Sequence, residues 1–311
     1  MSIEVRTALR ADRERILAIS SQIWDGHDYV PDMLDEWLAG KTGELLVAVL
    51  DGAVGAFSYR TWLAPGHAWL QGIRTDTAMR GRGAGRALTE ASLERSWRDG
   101  ARRIGLSTYV DNRTSTHIAE TFGFRRAASF VYLEGDLSSG SKSEDSPVET
   151  LTEEESARFI ASSDSLAVAN GRFPSGWKFL EFDWSPETAL AWAPYRIGIR
   201  CKGRIVSALC ASQRSAGADC ATQRPSDLKV GVLSFLDGEP EDLPILLSHA
   251  AGDLGATAWE AMVPKAGDRS AAALEALRDT GLRPWSDSQE DVFAYELDRE
   301  SALHPDRRSQ S

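Results

Sequence analysis

The stretch that most constrains this chain is MRGRGAGR, residues 79–86, where three glycines alternate with other residues, three of them arginine, directly before the apolar-periodic run ALTEASL. Glycine at this density is costly in backbone entropy, so it marks a place where the main chain must bend sharply or closely approach something. The arginines point to an anion. A loop of this kind opening a helix forms a nest: successive amides of Arg82 to Arg86 turn inward and the helix dipole adds positive potential.

Two familiar phosphate cradles do not fit. A Walker loop needs Lys followed by Ser or Thr after its last glycine, and Arg86 and Ala87 stand there. A dinucleotide fingerprint spaces its glycines G-x-G-x-x-G, whereas Gly81, Gly83 and Gly85 are evenly spaced. A compact diphosphate at a helix N-terminus remains.

Hydrophobic periodicity supplies the frame around this loop. IEVRTAL alternates as a strand, RADRERILAISSQIW has helical spacing, and VPDMLDEWLAG reads as a second helix with Pro31 in its first turn and Gly40 at its end. ELLVAVL, DGAVGAFSYRTWL and HAWLQGIRT read as strands, the first two joined by the Asp51-Gly52 hairpin signal. After the glycine stretch come a helix ended by Gly100, a strand ARRIGLSTYV, a short helix STHIAETFG and a strand FRRAASFVYLEGDL. The order is β, α, α, β, β, β, α, β, α, β.

With that order, R-G-R-G-A-G at 80–85 resembles the R-G-x-G-x-G/A loop of the GNAT superfamily of acyl-CoA-dependent N-acyltransferases. Asn112 after the following strand and the E-x-x-G-F signature at Glu120, Gly123 and Phe124 add to the likeness, which covers residues 1–137. The resemblance implies an α/β (α+β) fold with a mixed, mostly antiparallel sheet flanked by helices. It implies acetyl-CoA as co-substrate, its pyrophosphate on Arg80, Gly81, Arg82, Gly83, Ala84, Gly85 and Arg86. The fourth strand would splay from the fifth, so that pantetheine pairs with the backbone of Ile73, Arg74 and Thr75.

Direct acyl transfer needs a base for the attacking amine and an acid for the departing thiolate. By the resemblance, His67 or Gln71 stands where relatives place a base; a water relayed by Gln71 toward Asp25, His27 or Asp28 is the other route. The family's acid, a Tyr in the fourth helix, falls on Ala119, leaving Tyr109, His117 or Tyr132. Trp24, Asp25, His27, Asp28 and Tyr29 join the first two helices and would border the acceptor, a cation with an apolar body or a free amino acid. Gln71 and Ala119 also keep open a non-catalytic acyl-CoA sensor.

SSGSKSEDSP at 138–147 has the composition of a linker, and the second half faintly repeats the element order, so the fold is expected twice in tandem. The expected units are 1–137, a linker 138–147, a degenerate GNAT-like domain 148–299 and a polar tail 300–311. In the second half the nest is replaced by DGEPEDLP, whose Asp237, Glu239, Glu241 and Asp242 would repel a pyrophosphate. That half is expected to bind no CoA and to buttress the first or wall its acceptor cleft.

Composition narrows the partners. At 311 residues with a net charge of −11, the chain lacks the broadly basic surface that nucleic acid or acidic membrane demands. No signal or spanning segment is visible, so a cytoplasmic protein, monomeric or homodimeric, is expected. Cys201, Cys210 and Cys220 have neither CxxC spacing nor nearby histidines; the expectation is packing thiols and no metal.

Overall fold

The structure is a computed structural model that describes residues 3–137, 146–215, 228–265, 268–285 and 291–303. Most of the expected linker (138–145), Cys220 and residues 304–311 lie outside the described residues.

The first half runs β1 (Ile3–Thr7), α1 (Arg13–Ser20), α2 (Val30–Ala39), β2 (Gly43–Leu50), β3 (Ala53–Ala64), β4 (His67–Thr75), α3 (Ala84–Arg98), β5 (Arg103–Tyr109), α4 (Arg113–Thr121) and β6 (Arg125–Asp136). Local chemistry sets these bounds. Pro31 opens α2 and Gly40 closes it in the left-handed region at φ 66°. Asp51 and Gly52, both at positive φ, turn β2 into β3.

The second half begins with β7 (Val148–Thr150), α5 (Glu153–Ala161), α6 (Asp164–Val168), a hairpin β8 (Arg172–Ser175) and β9 (Lys178–Glu181), and α7 (Pro186–Trp192). Thr152 and Glu155 start α5 with a reciprocal capping box. β10 (Tyr195–Cys201), β11 (Arg204–Ser215), β12 (Lys229–Asp237), α8 (Leu243–Leu254), β13 (Ala258–Pro264), α9 (Asp268–Asp279), β14 (Arg283–Pro284) and β15 (Val292–Asp298) follow, and α10 (Arg299–Leu303) takes in residues 300–303, expected in the tail.

The halves are joined by one mixed sheet. Its strand order is β1-β2-β3-β4-β5-β15-β6-β13-β12-β11-β10-β7, with β14 pairing on β6. The last long strand of the chain thus lies between β5 and β6, and β6 pairs on its other side with β13. Each half is closed by a strand of the other. Every pairing is antiparallel except β4 with β5 and β12 with β13.

Side-chain alternation divides the core between the two sheet faces. On one face α1 and α2 cover β2 and β3 through Ile16, Leu34, Trp37, Phe57 and Tyr59, while α5, α6, α7 and the β8–β9 hairpin cover the centre through Trp69, Phe130, Phe173 and Phe179. On the other face lie α3 and α4 in the first half and α8 and α9 in the second. Ionic contacts tie the halves as well: Arg103 on β5 meets Glu181 of the hairpin and Glu296 and Asp298 of β15.

Candidate active site

The β4–β5 pairing stops early. His67 to Leu70 face Arg103 to Leu106, and from Gln71 to Thr75 no β5 residue pairs with β4. On its other edge β5 stays paired with β15 throughout, and Ser107, Thr108 and Tyr109, opposite Ala294, Phe293 and Val292, continue past the last β4 partner. A bulge interrupts β3–β4 between Tyr59↔Gln71 and Phe57↔Arg74, with Gly72 at φ 66°. A Cβ on Gly72 would come within 2.8 Å of Trp37, so only glycine lets α2 press this closely on the bulge.

At the open end of this splay stands the glycine loop. Gly81 and Gly83 have φ of 74° and 87°, and Gly83 caps α3 from the left-handed region. A side chain there would be strained, and bare backbone faces open space: no atom lies within 4 Å of a Cβ built on Gly81. The first helical bond is Ala87 N to Gly83 O at 3.0 Å, and among the described residues the amides of Arg80 to Arg86 donate to nothing. Free amides at a helix N-terminus are a ready site for an anion. Arg80 and Arg86 are exposed, Arg86 over Phe122, while Arg82 pairs with Asp51.

The GNAT acetyltransferase family model matches residues 11–124, spanning the splay, the loop and both flanking helices. Residues 11–124 are a GNAT acetyltransferase domain.

Three solved structures carry a similar fold over 95% of this chain: a GCN5-related N-acetyltransferase from Sphaerobacter thermophilus (14% identity, 95% of its length, TM-score 0.57), a candidate acetyltransferase from Thermoplasma acidophilum (13%, 99%, 0.58) and the GCN5-related glucosamine N-acetyltransferase region of a fungal multi-domain β-N-acetylglucosaminidase (15%, 38%, 0.59). At such identities the likeness is one of fold. The search of curated proteins gave no match.

Within the GNAT domain, the structure brings several expected site residues together. Arg74, expected along the cofactor, sends its side chain to the α1–α2 side, where Asp28 accepts from Nε at 3.1 Å and Nη2 at 2.9 Å. Ser20 Oγ donates to the same carboxylate at 2.8 Å, and Asp28 is 1% exposed. Trp24 and Tyr29 flank the guanidinium at 4.8 and 5.5 Å. The acidic and aromatic cluster expected to receive a cation from outside therefore already holds one from within. Trp24 and Asp25 reach this arrangement with left-handed backbones, φ 47° and 56°, a conformation disfavoured for such residues. Asp25 is exposed; His27 keeps a buried Nδ1 with no hydrogen-bond partner among the described residues.

His67 is set apart. It begins β4, eight residues from Thr75 and about 25 Å along the strand. It is fully buried, next to Trp69 and Trp184, and neither ring nitrogen has a partner among the described residues. Burial, then the charges of Arg103 and Arg172, push its pKa down to about 4. His67, which the resemblance offered as a base, thus lies inside the core, away from the stretch of β4 that has no β5 partner.

Gln71 is half-buried at the first position of β4 without a β5 partner, and Tyr109 half-buried at the end of β5. His117 lies on the exposed side of α4. Asn112 caps that helix, its side chain accepting from Ser115 N at 3.1 Å, and Thr75 Oγ1 sits 4.0 Å from a Cβ built on Gly85. Tyr132, another expected acid, is buried and donates to Glu260 at 3.2 Å. Burial raises its pKa.

Sequence reasoning missed what the second half brings here. Ser107 Oγ donates at 2.7 Å to the carbonyl of Trp177, at the tip of the β8–β9 hairpin, which fixes that tip against β5 where the splay opens. The Gly176-Trp177 pair between two short apolar runs was the available signal. Of the thiols, burial pushes the pKa of Cys210 up to about 12, whereas Cys201 is exposed and not the buried packing thiol expected. Among the described residues there is no cluster with metal-ligand composition, and no helix is long and apolar enough to cross a membrane.

Proposed function

We propose that this protein is an acetyl-CoA-dependent N-acetyltransferase acting on a primary amine of a small molecule or amino acid. One observation carries the reading: unpartnered amides from Arg80 to Arg86 lie at the open end of a strand whose edge, Gln71 to Thr75, is also unpaired. The loop amides hold the diphosphate, and the strand edge pairs with the pantetheine amides. Backbone amides near Ile73 polarise the thioester carbonyl as it gains negative charge.

In the transfer, the amine lone pair forms the N–C bond, the C–S bond breaks, and its electrons leave on sulfur. The ammonium proton must first depart. Of the relay residues, Asp28 is held by Arg74 and Ser20 and Asp25 is exposed, which leaves His27, with its unpartnered Nδ1, as the acceptor reached through water on Gln71. Tyr109, at the mouth of the splay, gives a proton to the thiolate and is reprotonated by the second proton that the nitrogen sheds as it becomes an amide.

The second half supports the reading of a degenerate GNAT-like unit without CoA. β12 and β13 also part after Leu233↔Ala261, but the loop that follows β12 is tied to α6 and β11. Asp237 accepts from Ser165 N at 3.0 Å, Asp242 from Ser207 Oγ at 2.6 Å, and Glu239 N donates to that hydroxyl at 3.0 Å. The loop after β12 thus carries hydrogen-bonded carboxylates, which supports a second unit that binds no diphosphate.

The test is thiol release from acetyl-CoA with a panel of amines. Amine-dependent release supports transfer; acetyl-CoA binding with no release by any amine would favour the sensor.

A further inference from the structure

The groove that opens past the last β4–β5 pair is walled by aromatic rings from both halves. Tyr109 lies 6.0 Å from Trp285, and Trp285 lies 5.7 Å from Tyr132 and 5.8 Å from Trp177, at interplanar angles of 69°, 69° and 82°. These edge-to-face contacts hold the indole in a fixed orientation. Trp285 nonetheless stays 51% exposed, so a held indole keeps open surface beside the rings it touches. Its amide donates to Tyr132 O at 3.1 Å, so the ring is carried on ordered backbone. Trp177 is pinned by Ser107 at the mouth of the splay. On the α1–α2 side, Trp24 and Tyr29 enclose Arg74, whose charge also feels Tyr109.

Charge decides what such a wall receives. A cationic body would seek carboxylates that still lack a counter-charge. Asp28 is held by Arg74, and Glu260 by Arg214 through two contacts of 3.2 Å as well as by the Tyr132 hydroxyl. A flat, uncharged body loses nothing by leaving water for an indole face, and gains the stacking contact.

Resting on the transfer reading above, we propose that Trp285 and Trp177 form the specificity wall of the acceptor site, a subsite for a flat, uncharged aromatic body attached to the reacting amine. The second half then selects the acceptor without touching CoA.

The experiment compares 2-phenylethylamine, propylamine and 1,4-diaminobutane as acceptors for the full chain and its Trp285→Ala and Trp285→Phe variants, alongside quenching of tryptophan fluorescence by 2-phenylethylamine without acetyl-CoA. Trp285 is half-exposed, so its truncation leaves the core intact. The expected kcat/KM for 2-phenylethylamine exceeds the others by about tenfold. Trp285→Ala abolishes that advantage through KM, Trp285→Phe keeps most of it, and propylamine is unaffected by either. A diamine preferred over the aromatic amine, or an aromatic preference that survives Trp285→Ala, overturns the proposal. Saturable binding lost in Trp285→Ala but with no thiol release refutes transfer and leaves the subsite; transfer indifferent to Trp285 refutes the subsite and leaves transfer.

Discussion

Asp28 grips Arg74 with two hydrogen bonds, 3.1 and 2.9 Å, across the seam between the α1–α2 connection and the end of β4. The pair fixes the acceptor side of the splay to the strand that the cofactor is proposed to follow. Because both groups are largely out of water, removing one strands the other. Asp28→Asn is expected to destabilise the fold by about 3 kcal/mol, whereas the double replacement Asp28→Leu with Arg74→Met costs far less. Urea denaturation of the three proteins checks this. A single variant within about 1 kcal/mol of the parent would mean that the pair is an exposed surface contact.

Tyr109→Phe tests the proton donor. A thiolate leaves with modest help, so kcat is expected to fall by about tenfold with little change in KM. Steady-state kinetics decide; an unchanged kcat would pass the role to solvent.

His67 gives a pH prediction. Its folded pKa, near 4, lies below the unfolded value of 6.5, so the unfolded chain binds the extra proton between those values. Stability therefore falls as pH drops from about 6.5 toward 4, by on the order of 3 kcal/mol from this residue. His67→Gln is expected to lose this increment in denaturant melts at pH 7 and 4.5 while retaining acetyl transfer. Loss of transfer in a folded His67→Gln protein would restore the catalytic reading.

Residues 1–137 expressed alone are expected to aggregate. β5 loses β15 as a neighbour, and β6 loses both β15 and β13, leaving long apolar strands with open edges. Size-exclusion chromatography reads the outcome. A monodisperse, folded fragment would establish the first half as an independent domain.

Much of this was legible in the sequence because it is local. The strand HAWLQGIRT, the Asp51-Gly52 turn and the glycine loop that opens α3 depend on spacing and on glycine chemistry within a few residues, and each stands where the spacing put it. The exchange of β15 and β6 between halves was not legible: DVFAYELD alternates in the same way whichever strand lies beside it. Residues 148–193 give six short elements with weak periodicity, so the hairpin that reaches Ser107 left little trace. Asp28 and Tyr29 read as acceptor residues because composition reports charge and rings, not partners; only the fold reveals that Arg74 comes to them.

The bare amides of the β4–α3 loop are proposed to hold a diphosphate. Calorimetry of the full chain and of Gly83→Glu with CoA and with pantetheine, which lacks the diphosphate, tests it most directly. The account predicts one CoA per chain, bound far more tightly than pantetheine, and a variant, folded by circular dichroism, that no longer distinguishes the two. Equal binding of CoA and pantetheine by the parent, or no binding of either, would contradict it.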